Sequence, residues 1–354
     1  MKPAIRIDFV NMFPGFSQSL CRSHVLMDLC DEFDFVFDTK SPEILLIGCY
    51  SQQPVEPGGA IAVGYYTENI APDLQNCDYF FGCEYSPLIG HPRYCKRVFG
   101  PMSVMTFGGC DDPEAELATK TDFCNFIYTS RVGHRERVFR ALSAYKPVRA
   151  PGGSMNNCRD LTAGRQSADW QAAKLAYLSR FKFTIAFENS RRPGYVSEKL
   201  FDAFAADTVP IYWGDPAIAT VINPASIVQV AGDWEAEVLG WLKLPEKREP
   251  FRPYKRVATP LNKLAGRVND LATRLRHKWP YSKGFTEAIE EIRWLDNDDQ
   301  AFCRKLAEPR AKREAIEEIR ADYFAFWRKI IERALERRER TGERDQQARQ
   351  GARL

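Results

Sequence analysis

Histidine is scarce in this chain, with four in 354 residues, and none of its ten cysteines pairs with another at CxxC spacing. A structural zinc site needs such close ligand pairs, so the sequence offers none. Nine of the cysteines fall before residue 160, scattered through apolar or strand-like stretches. They read as reduced, buried small hydrophobes of a cytoplasmic chain, not as the disulfide framework of a small secreted domain. No apolar run reaches the roughly 18 residues that a membrane-spanning helix needs. The opening MKPAIRIDFV alternates apolar and charged residues, which reads as a strand and not as a signal peptide. An excess of one charge is also missing. Fifty Lys and Arg stand against 47 Asp and Glu, a net +3, too balanced for a dedicated nucleic-acid binder. The phosphate signatures GxGxxG and GxxxxGKS/T and the GxSxG elbow are absent as well.

What is present is an ordinary globular composition, 44% hydrophobic and 12% aromatic. At roughly 100–200 residues per domain, the length fits two domains with an appendage. Short apolar runs at Ile5 to Val10, Glu43 to Gly48, Gly59 to Tyr66, Asp78 to Phe81 and Phe123 to Thr129 read as strands. A helix capped by Ser17 follows the first of them, and another spans about His134 to Tyr145. Pro151-Gly152-Gly153-Ser154 marks a break, after which the alternation resumes: helix from about Ala168, strand Lys182 to Phe187, helix Ser197 to Ala206, strands Val209 to Trp213 and Ile227 to Val230. Strands alternating with helices predict parallel α/β sheets. The expected organisation is an α/β domain over 1–150, a second over 151–270, a helical extension over 271–340 and a disordered tail over 341–354. In the extension Ile316, Ile319, Tyr323, Phe326, Ile330 and Ala334 form one apolar stripe, and Arg328 to Leu354 carries nine Lys/Arg against five Asp/Glu, a net +4. Such a helix either packs on its own domain or lies on an anionic membrane surface. The first is the commoner outcome.

Two segments bear on chemistry. Asp296-Asn297-Asp298 has the DxD form of metal-dependent sugar transferases, but it follows the helix-spaced Ile289, Ile292 and Leu295 where a metal-binding DxD follows a strand. It reads as a solvated loop. The denser segment is FKFTIAFENS followed by GYVSEKLFDAF, at residues 181–190 and 194–204. It is a strand, a polar turn and a helix with Val196, Leu200 and Phe204 on the buried face. Glu198 and Lys199 stand in the first helical turn, where exposed amides, the helix dipole and a lysine suit a phosphate or diphosphate. Glu198 is able to accept from sugar hydroxyls. An isolated Glu-Lys pair is usually just solvated; the polar turn at the strand's carboxyl end favours a binding role.

With TVPIYWGDP at 208–216, the same segment resembles the donor-site signature of the α1,3/4-fucosyltransferases, glycosyltransferase family 10, and most of all their soluble bacterial branch. The close match covers Phe181 to Pro216, and weaker similarity reaches back to about Val63. The resemblance implies a two-domain GT-B fold, an inverting mechanism, GDP-fucose as donor and no obligatory metal or other cofactor, a divalent cation being at most stimulatory. Cationic side chains then neutralise the leaving diphosphate. Lys199 matches the motif's lysine. Arg135, in Gly133-His134-Arg135-Glu136-Arg137, stands where the family places a diphosphate-binding arginine, with Arg131, Arg137 and Arg140 as rivals. Asn189, Tyr195 and Glu198 match donor-contacting positions, and Gly152, Gly153 and Ser154 suit close approach of the nucleotide to backbone. Tyr65-Tyr66-Thr67-Glu68-Asn69 resembles the family's YTGEN segment without its glycine, which makes Glu68 the expected base for the acceptor hydroxyl, with Glu84 and Asp78 in reserve. The implied acceptor is a GlcNAc-containing glycan, N-acetyllactosamine-type or lipid-linked, with the basic C-terminal helix a means of peripheral contact at the inner membrane. Two alternatives stand beside this reading: a GT-B transferase using another nucleotide sugar, and a non-catalytic scaffold on membrane or nucleic acid.

Overall fold

A computed structural model describes residues 2–51, 53–98, 107–162, 164, 169–231 and 282–351. The expected turn to helical sequence near Pro245 and the domain edge at 270 lie outside them. The described chain forms two compact units: one holds the described residues up to 98 and those from 316 onward, the other those from 107 to 231 and from 282 to 315.

The first unit is built on six parallel strands: β1 (Ala4–Val10), β2 (Asp34–Phe37), β3 (Ile44–Ile47), β4 (Ile61–Tyr65), β5 (Tyr79–Gly82) and β6 (Tyr94–Lys96). Their spatial order is β2-β1-β3-β4-β5-β6. The inner strands β3 and β4 are buried on both faces and are continuous apolar runs, whereas β1 alternates apolar and charged residues and edge strand β2 exposes Asp34 and Val36. Ile44, Leu46, Ile61, Val63, Tyr65 and Phe81 point to one core, while Leu45, Ile47, Ala62, Phe80 and Tyr94 point to another. The helix that covers the first of these faces comes from the far end of the sequence. Arg313–Gly351 lays Tyr323, Phe324, Trp327, Ile330, Ile331 and Ala334 onto the sheet, and the Tyr323 hydroxyl donates to the Val25 carbonyl at 2.6 Å.

The second unit has five parallel strands: β7 (Asp122–Asn125), β8 (Val148–Arg149), β9 (Phe181–Phe187), β10 (Val209–Trp213) and β11 (Val228–Gln229). Their order is β11-β10-β9-β7-β8. Helices Gly133–Ser143, Lys283–Asn297 and Asp299–Ala307 pack Val138, Phe139, Leu142, Ile292, Leu295 and Phe302 against Phe183, Ile185, Ile211 and Trp213.

Four expectations need correction. The compact units do not divide at residue 150: β7 pairs with β9 and β8, so the segment from 107 belongs to the second unit. Pro151-Gly152-Gly153-Ser154 is therefore a loop inside one unit. The residues over 271–340 that are described are not a separate extension; those up to 315 complete the second core and those after it complete the first. The tail expected to be disordered is helical as far as Gly351. The apolar stripe packs on the chain's own sheet, the commoner of the two outcomes expected of it. Among the described residues no helix is long and apolar enough to cross a membrane. Asp296, expected in a solvated loop, is buried at 7% exposure. It holds Lys146 at 2.5 Å and accepts from the Tyr145 hydroxyl at 2.9 Å, while Asp298 caps the next helix through the Ala301 amide at 2.8 Å.

Candidate active site

Ligands of parallel α/β sheets bind beyond the carboxyl ends of the strands, where the strand order reverses. In the second unit that reversal lies between β7 and β9. The segments that leave β7, β8 and β9 carry the residues expected to bind donor: Arg135 in the helix after β7, Gly153 and Ser154 in the loop after β8, Asn189 and Tyr195 in the turn after β9 and Glu198 and Lys199 in the first turn of the helix that follows it.

Arg135 is buried at 2% exposure. It is no solvent-facing helix arginine. Its Nε and Nη2 donate to the Phe187 carbonyl at 3.1 and 2.8 Å, and its guanidinium lies 4.2 Å from the Tyr128 ring centre. Tyr128 is itself tied to β9, donating to Ile185 O at 2.7 Å and accepting from Phe187 N at 2.8 Å. Gly152 and Gly153 run against this same loop. A Cβ on Gly152 would stand 2.4 Å from the Tyr128 carbonyl oxygen, so the close approach expected of the small residues is made first to the chain's own backbone. Ser154, fully buried, donates to Glu136 at 3.2 Å. Glu136 also receives Arg131 and Arg140, at 3.0 and 3.4 Å, which accounts for two of the three rival arginines. The third, Arg137, lies 5.9 Å from the Phe285 ring centre.

The polar turn after β9 is centred on Glu188, a residue the sequence reading passed over. It has no exposed surface. Its carboxylate accepts from the Ser197 amide at 2.7 Å and the Ser197 hydroxyl at 2.6 Å, and lies 3.9 Å from the Lys199 ammonium. Its own amide donates to Trp213 O at 2.8 Å, and its carbonyl meets the His134 ring nitrogen at 2.9 Å. Burial pushes the Glu188 carboxyl above its ordinary range, with the Lys199 charge pulling the other way. Gly214 follows β10 beside it, and a Cβ there would meet Glu188 Cγ at 2.5 Å. Burial also pushes His134 down, to about 4, so this imidazole is neutral near pH 7.

The helix Glu198–Ala205 begins here with Ser197 as its N-cap, yet Ser197 bonds none of the helix's own amides. Lys199 Nζ donates to Ser197 Oγ at 2.9 Å and Glu198 Oε1 at 3.2 Å. Partial burial works against a charged Glu198, but the Lys199 and Lys174 charges outweigh it and hold the carboxyl at about 2. Asn189 is exposed and Tyr195 buried, both within the turn. The arrangement presents a helix start, an ammonium and an ionised carboxylate at one strand end. That combination suits an anionic group attached to a hydroxylated one.

Glu68 lies in the first unit, just beyond β4, and is partly buried. The Tyr50 hydroxyl donates to it at 2.6 Å. The Cys83 thiol donates to its carbonyl at 3.5 Å and Arg97 to the Thr67 carbonyl at 3.2 Å, which fixes the loop. The reserves have other work. Asp78 accepts the Ala62 amide at 2.9 Å between strands, and Glu84, buried, accepts from Tyr94 at 3.2 Å. All ten cysteines are free thiols, five of them buried, and burial pushes Cys49 up to about 11 and Cys77 to about 12. Among the described residues no group of three or more His, Cys, Asp or Glu is placed to hold a metal ion.

Residues 118–241 match the family model described as glycosyltransferase family 10 (fucosyltransferase), C-terminal part. The matched stretch contains every residue of the second-unit cluster. Among curated proteins the chain is 30% identical over 224 residues to the alpha-(1,3)-fucosyltransferase of Helicobacter pylori, an alignment covering 62% of this chain and 43% of that protein. It is 29% identical over 106 residues to the alpha-(1,4)-fucosyltransferase of Arabidopsis thaliana, covering 27% of this chain and 26% of that one. The chain thus spans less than half the length of these relatives. Solved structures of an alpha1,3-fucosyltransferase, with GDP and with GDP-fucose, superpose with TM-scores of 0.60 and 0.59 at 21% identity, covering 94% of this chain and 91% of theirs. The fold is of the GT-B type.

Proposed function

We propose that this chain is a glycosyltransferase that moves L-fucose from GDP-fucose to a hydroxyl of a GlcNAc-containing glycan, through an α1,3 or α1,4 linkage and with inversion. The observation that carries the donor half is the helix start beside Lys199, which its N-cap Ser197 leaves without a side-chain cap, placed where the strand order of the second sheet reverses. Anions bind at helix starts because unpaired amides and the helix dipole face them. Lys199 supplies the charge that the leaving diphosphate needs, and Arg135 and Tyr128 brace the neighbouring loop. Glu68 takes the proton of the acceptor hydroxyl as its oxygen bonds to fucose C1, and the C1–O bond to GDP breaks with its electron pair leaving on the diphosphate. Metal-independent chemistry fits this assignment of the charge to side chains. N-acetyllactosamine-type and lipid-linked oligosaccharides on the cytoplasmic side of a membrane are the acceptor classes we infer.

The test is product formation, followed by mass spectrometry over a small acceptor panel, with and without a chelator. GDP release is expected only when donor and acceptor are both present, and it is expected to survive chelation. A titration of GDP against UDP and ADP identifies the nucleotide. Tighter binding of UDP or ADP would replace GDP-fucose by another donor, and no nucleotide binding at all would remove the reading.

A further inference from the structure

A serine at a helix N-cap normally turns its hydroxyl back to accept from an amide of the first turn. Ser17 and Ser282 do this, accepting from Leu20 N and Phe285 N at 3.3 Å each. Ser197 occupies the same position with extended backbone, φ −108° and ψ −179°, and does not. Its hydroxyl points instead to Glu188 Oε2 at 2.6 Å, and its amide to Glu188 Oε1 at 2.7 Å.

We propose that Glu188 is a positioning residue that draws the Ser197 hydroxyl off the helix Glu198–Ala205, keeping the Leu200 amide, which a serine cap would take, open to the donor diphosphate. The inference rests on the donor reading above and adds to it the group that keeps the site vacant of its own cap.

Three features support it beyond the two hydrogen bonds. The Glu188 backbone is fixed independently of Ser197, its amide donating to the Trp213 carbonyl at 2.8 Å and its carbonyl meeting His134 at 2.9 Å. Gly214 leaves space that any side chain would take from the Glu188 methylene, since a Cβ would stand 2.5 Å from it. The Lys199 ammonium donates to Glu198 Oε1 at 3.2 Å and lies 3.9 Å from the Glu188 carboxylate, outside hydrogen-bond distance, so the cation has an anchor of its own and the short bonds of Glu188 go to Ser197. A fully buried carboxylate is a costly way to join a strand to a helix when neutral residues are able to do it. Clearing the helix start is a task that needs a strong acceptor.

The expected result follows from competition for the amides. Without Glu188 the Ser197 hydroxyl is free to swing to Leu200 N, three residues into the helix, and cap it. Glu188→Ala is then expected to weaken GDP binding about tenfold, the scale of a hydrogen bond to a charged group. Ser197→Ala leaves the amides open and is expected to stay within about threefold of the starting affinity. The decisive protein is the double variant. With no hydroxyl to swing, Glu188→Ala with Ser197→Ala is expected to bind GDP nearly as well as Ser197→Ala alone. A purely structural loss at Glu188 would not be rescued by removing a second hydrogen-bonding group. Isothermal calorimetry with GDP on the full chain reads all four proteins. Glu188→Gln with and without Ser197→Ala repeats the comparison if the alanine variant fails to fold. A crystal structure of the folded Glu188 variant is expected to show Ser197 Oγ within hydrogen-bond distance of Leu200 N, a readout independent of any nucleotide. The proposal is overturned if the double variant is as weak as, or weaker than, the Glu188 single variant, if the single variant binds GDP unchanged, or if Ser197 keeps its orientation without the carboxylate. Absence of GDP binding in the unaltered chain would instead overturn the donor reading, and this one with it.

Discussion

At the scale of single residues, charge and burial are set against each other around one turn. Lys199 is expected to be the main cation for the diphosphate. Removing it as Lys199→Ala is expected to weaken GDP binding by about 10- to 100-fold, the range for a hydrogen bond to a charged group. Glu68→Gln separates the two halves of the reaction. Turnover is expected to fall by about 100- to 10,000-fold, the usual contribution of a general base, while calorimetry finds GDP affinity unchanged; retained turnover would remove Glu68 from that role. His134 gives a pH prediction. Its folded pKa, about 4, lies below the unfolded value near 6.5, so between these pH values the unfolded chain binds a proton that the folded one refuses. Stability is therefore lost as pH falls through that window, by on the order of 3 kcal/mol for this group. Glu188, raised by burial, works in the opposite direction because the folded state takes its proton first. The contrast that isolates the histidine is His134→Gln, whose melting temperature is expected to drop less than that of the unaltered chain between pH 7 and pH 5.

At the scale of elements, the C-terminal helix is the clearest case of a pattern with two meanings. Its apolar period was readable from Ile316 to Ala334, but the period alone leaves open whether sheet or lipid covers it. The sheet covers it, and Trp327 at its middle is fully buried against Phe81, with ring centres 4.9 Å apart. Trp327→Ala is expected to destabilise the first unit by about 3–5 kcal/mol, measured by denaturant unfolding. With the apolar face taken, binding of the full chain to anionic vesicles is expected to rest on the basic residues alone. It should then disappear as salt shortens the Debye length to about 3 Å near 1 M; binding that persists at high salt would show that an apolar surface inserts. The short edge strands were not legible. β2, β6 and β8 have four, three and two residues, too few to show a period, and only their pairing with neighbours makes them strands.

At the scale of the whole molecule, each unit has its own core, and the two are expected to answer different perturbations. In a calorimetric scan, GDP at about 100 times its dissociation constant is expected to stabilise the second unit by about 2.7 kcal/mol, whereas Trp327→Ala lowers the transition of the first. A single transition that moves equally under both would show that the units unfold as one.

By itself the sequence determined the parallel α/β class and the position of the donor-type turn. Continuous apolar runs between helical periods have few other ways to be buried, and the 181–216 segment carries strand, turn and helix in one local stretch. What the fold alone decided was every relation between distant segments. It joined β7 to the second sheet and brought residues 316–334 back to the first. It buried Asp296 beside Lys146, and placed Glu188 where it meets Ser197, Gly214 and His134 together. The reason is that hydrophobic pattern is local and registers in the sequence, whereas which buried polar group finds which partner depends on strand order. A single chain of letters does not carry that order until it is closed into sheets.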